Sequence, residues 1–145
     1  MHRITTQRQK HILPEEAPLS TLATLAYDPH NSRTKRRKHF LIARVDRSVV
    51  KYYQWWIWQR FRVKLTDSAW KPHCTVVRGE RPRTNAWRAH KGEKITLQYS
   101  PAFWTNGKHW WLPVYSVDIQ NIRRELGLRP LPYAALHITV GSQVY

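Results

Sequence analysis

Ile42-Ala43-Arg44-Val45-Asp46, followed by an amphipathic stretch, a loop and His73-Cys74-Thr75-Val76, forms a run that returns later in the chain. There it reads Val114-Tyr115-Ser116-Val117-Asp118, again an amphipathic stretch and a loop, and then His137-Ile138-Thr139-Val140. Strand, helix, strand ending in His-x-Thr-Val thus occurs twice. A repeat of this kind predicts two related lobes that face each other, with equivalent positions converging on one cleft.

The intervening segments fit that reading. Residues 39–46 are apolar and bounded by charge, as in a strand covered on both faces. Asp46 and Ser48 are candidate N-caps, and Val50, Tyr53, Ile57 and Phe61 recur at the spacing of one helical face. Trp55, Trp56 and Trp58 lie on this helix and read mainly as core, with base stacking as the alternative. Residues 73–77 form a second strand, stopped by Gly79 and Arg81-Pro82-Arg83. Residues 94–100 alternate as a strand, and Asn106-Gly107 between aromatic runs is a strong hairpin signal. Residues 110–117 continue as a strand, Asp118 caps a helix with Ile119, Ile122 and Leu126 on one face, and Gly127 ends it. A last strand covers residues 136–140.

With 145 residues the chain suits one domain with a tail. Residues 1–38 read as a basic tail or irregular extension, broken by Pro14, Pro18 and Pro29 and ending in Arg33-Thr34-Lys35-Arg36-Arg37-Lys38. Within it, Leu19, Leu22, Leu25 and Ala26 suggest a short helix over residues 19–27. Residues 39–145 form the folded domain. The net charge of +16 favours a polyanionic partner or substrate, nucleotide or RNA, and 8 Trp, 7 Tyr and 3 Phe argue against simple disorder. The single cysteine, Cys74, excludes internal disulfides and multi-cysteine zinc sets, and points to a reducing, cytoplasmic setting. Neither a membrane span nor a secretory leader is expected, and a monomer is.

In a strand, residues two apart share a face, so His73 projects with Thr75 and His137 with Thr139, while Cys74 turns away from any base. Two imidazoles on one cleft divide acid and base work, and the threonine hydroxyls donate to phosphoryl oxygens. No Gly-rich phosphate loop, Gly-x-Ser-x-Gly or His-Glu-x-x-His occurs, and the nine carboxylates are scattered, so a two-metal nuclease lacks its ligands. Arg44 and Tyr115 lie on strands expected to border the cleft, as candidate substrate contacts.

The two motifs, 64 residues apart, with Trp110-Trp111-Leu112-Pro113-Val114 after Asn106-Gly107, resemble the 2H phosphoesterases, the superfamily of 2′-5′ RNA ligase-like and cyclic phosphodiesterase proteins. The resemblance runs from His39 to the C-terminus. It departs from the family pattern at Arg129-Pro130-Leu131-Pro132, which lies further from the second histidine than is usual. It implies an α+β fold: a bilobal arrangement of two antiparallel sheets about a central cleft, pseudo-twofold symmetric, with helices outside. It implies His73 and His137 as acid and base, in either order, Thr75 and Thr139 as phosphate holders, and no cofactor or metal. It implies a hydrolase acting on a 2′,3′-cyclic phosphate, a 2′-5′ linkage or a cyclic or linear oligonucleotide signal. Some viral relatives destroy the nucleotide messengers of host defence, so a viral origin and the host cytoplasm belong to the same implication. The alternative from another class is a basic, Trp-rich RNA- or DNA-binding module without catalysis.

Overall fold

Alternating burial governs more of the chain than helical spacing does. In chain order the strands are β1 (Leu19–Tyr27), β2 (Phe40–Val45), β3 (Leu65–Thr66), β4 (His73–Arg78), β5 (Lys94–Tyr99), β6 (Trp104–Thr105), β7 (His109–Tyr115) and β8 (His137–Gln143). Helix α1 (Arg47–Phe61) follows β2, and α2 (Val117–Glu125) follows β7. The fold is that of a computed structural model, which describes residues 10–29, 38–67 and 71–143.

The architecture is α+β. All eight strands belong to one antiparallel sheet in the order β3-β8-β4-β2-β1-β5-β7-β6, and β8 also pairs with β7. Six strands thereby close into a barrel, so the two sheets expected from the sequence are joined edge to edge. Each half of the chain nevertheless builds the same series of pairings: β1 with β2 and β2 with β4 in the first, β5 with β7 and β7 with β8 in the second. The halves meet through β1 with β5 and through β4 and β3 with β8.

The helix expected over residues 19–27 is a strand. Ala23, Leu25 and Tyr27 are buried while Leu22, Thr24 and Ala26 alternate to the other face. Neighbours on both sides, β2 and β5, satisfy its backbone, and that tertiary pairing overrides the spacing of the leucines. The body of the fold thus begins well before His39. Ile12 and Ala17 are buried, and the His11 ring bonds the Pro132 carbonyl oxygen at 2.8 Å. The run at residues 33–37 lies outside the described residues.

Both helices contribute to one core on one face of the sheet. Val50, Tyr53 and Ile57 of α1 and Ile119 and Ile122 of α2 join Leu41, Ala43, Cys74, Leu97, Leu112 and Ile138. The face turned away from the helices is left for other uses. Asp46 caps α1 by accepting from the Ser48 amide at 2.7 Å. Ser116, not Asp118, caps α2, its hydroxyl accepting from the Ile119 amide, and the Asp118 carboxylate instead accepts from the Thr96 amide at 2.8 Å. The expectation of mainly buried tryptophans on α1 also needs correction. Trp56 packs against the core, but Trp55 and Trp58 are exposed.

Gly141 marks a close approach between β8 and β3. A Cβ at this position would stand 2.5 Å from the Thr66 carbonyl oxygen and 2.9 Å from the Leu65 Cβ. Because the first of these is backbone, it has no rotamer by which to move aside. Gly141→Ala is expected to cost roughly 1–3 kcal/mol, the range of overpacking. Urea denaturation checks this, and an unchanged midpoint would show that β3 yields freely.

Candidate active site

Cys74 of β4 stands opposite Ile138 of β8, and both are fully buried on the core face. In an antiparallel pair their neighbours meet in reverse order on the other face, His73 beside Thr139 and Thr75 beside His137. The two imidazoles are therefore diagonal partners on adjacent strands, with Cα atoms roughly 7–8 Å apart. A single tetrahedral group placed between them is within reach of both. Cys74 points into the core as alternation requires, and burial pushes its thiol pKa up to about 12.

Each histidine is held in the same way. The Nδ1–H of His73 donates to the Lys71 carbonyl and that of His137 to the Ala135 carbonyl, each at 2.7 Å and each two residues earlier in the chain. With Nδ1 carrying the proton, the neutral ring has its basic lone pair on Nε2. Burial lowers the His73 pKa, the Lys71 bond opposes the shift, and the charges of Arg78 and Arg44 add to it. Burial also pushes the His137 pKa down, to about 4, against its bond to Ala135 and with the charges of Arg78 and His73 adding to the depression. The free cleft thus holds two neutral imidazoles at pH 7.

A β-bulge follows each motif. Along β4, Ile42 pairs with Thr75 and Leu41 with Val77, which leaves Val76 as an extra residue. Along β8, Trp111 pairs with Thr139 and Trp110 with Gly141, which leaves Val140 in the same role. Each extra residue shifts the alternation by one, so both Val76 and Val77 are buried and Arg78 arrives on the histidine face. Arg78 Nη2 donates to Thr75 Oγ1 at 3.4 Å. In β8 the corresponding position is Ser142, whose hydroxyl is 2.6 Å from His109 Nδ1. The bulge carbonyls point back to the helices and are bonded crosswise: Arg123 of α2 donates to Val76, and Gln54 of α1 to Val140.

The remaining candidates take different places. Arg44 stands directly opposite His73, exposed at the rim of the cleft. Tyr115 shares the face of Pro113, which faces His137, but lies two residues further along β7 and opposite Gln98. Three side chains that strict alternation and motif reading do not find complete the surroundings. Arg78 is re-aimed by the bulge, and the only sequence trace of this is the Val76-Val77 pair. Trp111 sits edge-on to the His137 ring at 5.9 Å, and Tyr133 borders a cavity of about 240 Å³ with Thr75, Arg78, Pro132, Ala135 and His137. Among the described residues no three His, Cys, Asp or Glu side chains gather as a metal-binding set.

The fold and site define an α+β protein with two partly buried imidazoles, two threonine hydroxyls and two guanidinium groups on one face of adjacent strands. No family model, curated protein or solved structure matches the chain.

Arg78 can be tested apart from any reaction. Its positive charge disfavours protonation of both rings, so Arg78→Leu is expected to raise the pKa of His73 and of His137. Titration of the imidazole proton resonances reads this directly. Unchanged values for both would mean that burial alone sets them and that Arg78 does not act on the pair.

Proposed function

We propose that the protein is a phosphodiesterase in which His73 and His137 are the acid–base pair, acting on a nucleotide phosphodiester at a ribose 2′ or 3′ oxygen. The observation that carries this reading is the pairing of β4 with β8, which gathers both His-x-Thr motifs on one face with Nε2 as the basic atom of each ring. The matching pairings of the two halves and the bulge after each motif support a pseudo-twofold site of the 2H phosphoesterase kind.

In the proposed step a water oxygen bonds to phosphorus as the bond from phosphorus to the ribose oxygen breaks. One neutral imidazole takes the water proton at Nε2, and the other, protonated at Nε2, delivers its proton to the leaving oxygen. Thr75, Thr139 and Arg78 donate to the phosphoryl oxygens and offset the charge that builds in the transition state. The incoming phosphate also favours the imidazolium form, which the free cleft disfavours, so one ring acquires its proton with the substrate. The cavity lined by Pro132, Tyr133 and Ala135 beside His137 offers a flat apolar wall to a nucleobase.

The test is turnover in excess EDTA of 2′,3′-cyclic mononucleotides, 2′-5′ oligoadenylate and 3′,5′-linked cyclic dinucleotides. Wild type is expected to hydrolyse at least one of them, and the His73→Ala plus His137→Ala variant at least about 10²-fold more slowly. Silence of the wild type across the panel, or a variant within about tenfold of wild type, would overturn the proposal. Matching thermal melts of the two proteins exclude misfolding as the cause.

A further inference from the structure

Arg47, Lys51, Arg60, Arg62 and Lys64 fall within residues 47–66 with no aspartate or glutamate among them; Asp67 just beyond pairs with Arg47 at 3.5 Å and with Lys51 at 3.4 Å, so the excess positive charge lies toward Arg60, Arg62 and Lys64. An ordinary solvated helix mixes both signs. Helix α1 also exposes aromatic rings: Tyr52 is 51 % exposed, Trp55 57 % and Trp58 44 %. Lys51, Trp55 and Trp58 follow one another at spacings of four and three and so share one stripe of the helix, and Arg62 caps the helix just beyond them. Arg62 lies over the Trp58 ring at 5.5 Å, Arg60 over Trp56 at 5.8 Å, and Tyr52 leans on Trp55 with ring centres 6.2 Å apart. The inner side of α1 is occupied by Val50, Tyr53 and Ile57 in the core and by Gln54 on the Val140 carbonyl, so this stripe faces away from the sheet.

We infer that the exposed stripe of α1 is a docking surface for a single-stranded nucleic acid, separate from the histidine cleft. Alternating cations and flat rings match a strand that alternates phosphates and bases, and stacking on such rings is tolerant of sequence. Charge selects this occupant over a second copy of the chain, which would bring the same +16 and the same cations to the contact. A lipid surface fits less well. Helices that lie in a membrane interface segregate apolar and charged faces, whereas on α1 rings and cations are intermixed around the helix.

The experiment is fluorescence anisotropy of a labelled dT12 with the full chain at low salt, followed through a salt titration. The same titration in the His73→Ala plus His137→Ala variant removes any consumption of the probe in the cleft, so failure of the cleft reading leaves this result untouched. Trp55→Leu plus Trp58→Leu keeps the apolar bulk and removes the rings, and is expected to weaken dT12 binding by at least about tenfold. Arg62→Gln is a second, milder variant, expected to reduce the salt slope by about one. Equal dT12 affinity in wild type and the leucine variant, or no dT12 binding by wild type, would overturn the inference. Binding to phosphatidylserine vesicles in place of dT12 would replace the strand by a lipid surface. A concentration-dependent dimer that the leucine variant abolishes would replace it by a second copy.

Discussion

His137→Ala is expected to slow hydrolysis of the preferred nucleotide by about 10²–10⁴-fold, the range that a positioned proton-transfer group supplies. The neighbours of His137 are consistent with a group that transfers protons and little else: its Nδ1–H is tied to Ala135, Trp111 stands against its edge, and its Nε2 bears the lone pair. His73→Ala should cost a comparable factor. The double variant should be little worse than either single one, because removing one member of an acid–base unit already stops the concerted transfer. The pH profile adds a second reading. Both rings are depressed in the free protein, so kcat/KM should reach its optimum on the acid side of about pH 6.5, the ordinary histidine value. Activity falls below that optimum as the base is protonated, and above it as the acid loses its proton. Arg78→Leu should move the whole profile upward. An optimum above pH 8, or a His137→Ala variant within a few fold of wild type, would contradict the assignment.

The second large effect concerns what holds the site in shape. Arg123 is fully buried, and its guanidinium makes four hydrogen bonds: Nε to the Arg129 carbonyl at 2.6 Å, Nη1 to the Val76 carbonyl at 2.9 Å and to Glu80 at 2.8 Å, and Nη2 to Glu80 at 2.8 Å. It joins α2 to the bulge of β4 and to the loop that leads to the cavity. Glu80→Leu strands this cation without its carboxylate. Breaking a buried pair from one side costs about 3–5 kcal/mol, and the lower end applies because Glu80 is itself partly exposed. That is a large part of a total of about 5–15 kcal/mol. Urea denaturation measures the loss, and a shift below about 1 kcal/mol would show that the pair contributes little. Acid supplies a check on sign. The hydrogen bond from Arg123 holds the Glu80 carboxyl below its ordinary range. Its stabilisation is therefore present above the unfolded value of about 4.3 and lost as pH falls through the folded value. The difference between wild type and Glu80→Leu should narrow on acidification below about pH 4.

Much of the candidate site is legible before folding because alternation along a strand is local. His73 with Thr75 and His137 with Thr139 had to share a face wherever their strands went, and Cys74 had to oppose them. The repeat predicted that equivalent positions converge, and β4 against β8 brings them together. Arg78 was not legible, since strict alternation turns it to the core side; an extra residue at Val76 reverses that, and the bulge exists only against the register of β2. The exposure of Trp55 and Trp58 is hidden from the sequence for a related reason. Hydrophobicity marks them for burial, but the inner face of α1 is already filled by Val50, Tyr53 and Ile57.

Side-chain period, caps and turn residues act over a few positions, so the sequence alone settled β2, α1, β4, β5, the Asn106-Gly107 hairpin, β7, α2 and β8 to within their ends. Residues 19–27 have no such local determinant. Their leucines fit a helix as well as a strand, and they became β1 because β2 and β5 offered hydrogen-bonding edges on both sides. The closing of the barrel, the crosswise bonding of the two bulges by Arg123 and Gln54, and the arrival of Arg78 on the histidine face all depend on pairings between residues distant in the chain. Long-range register sets those contacts, and no window of neighbouring residues contains it.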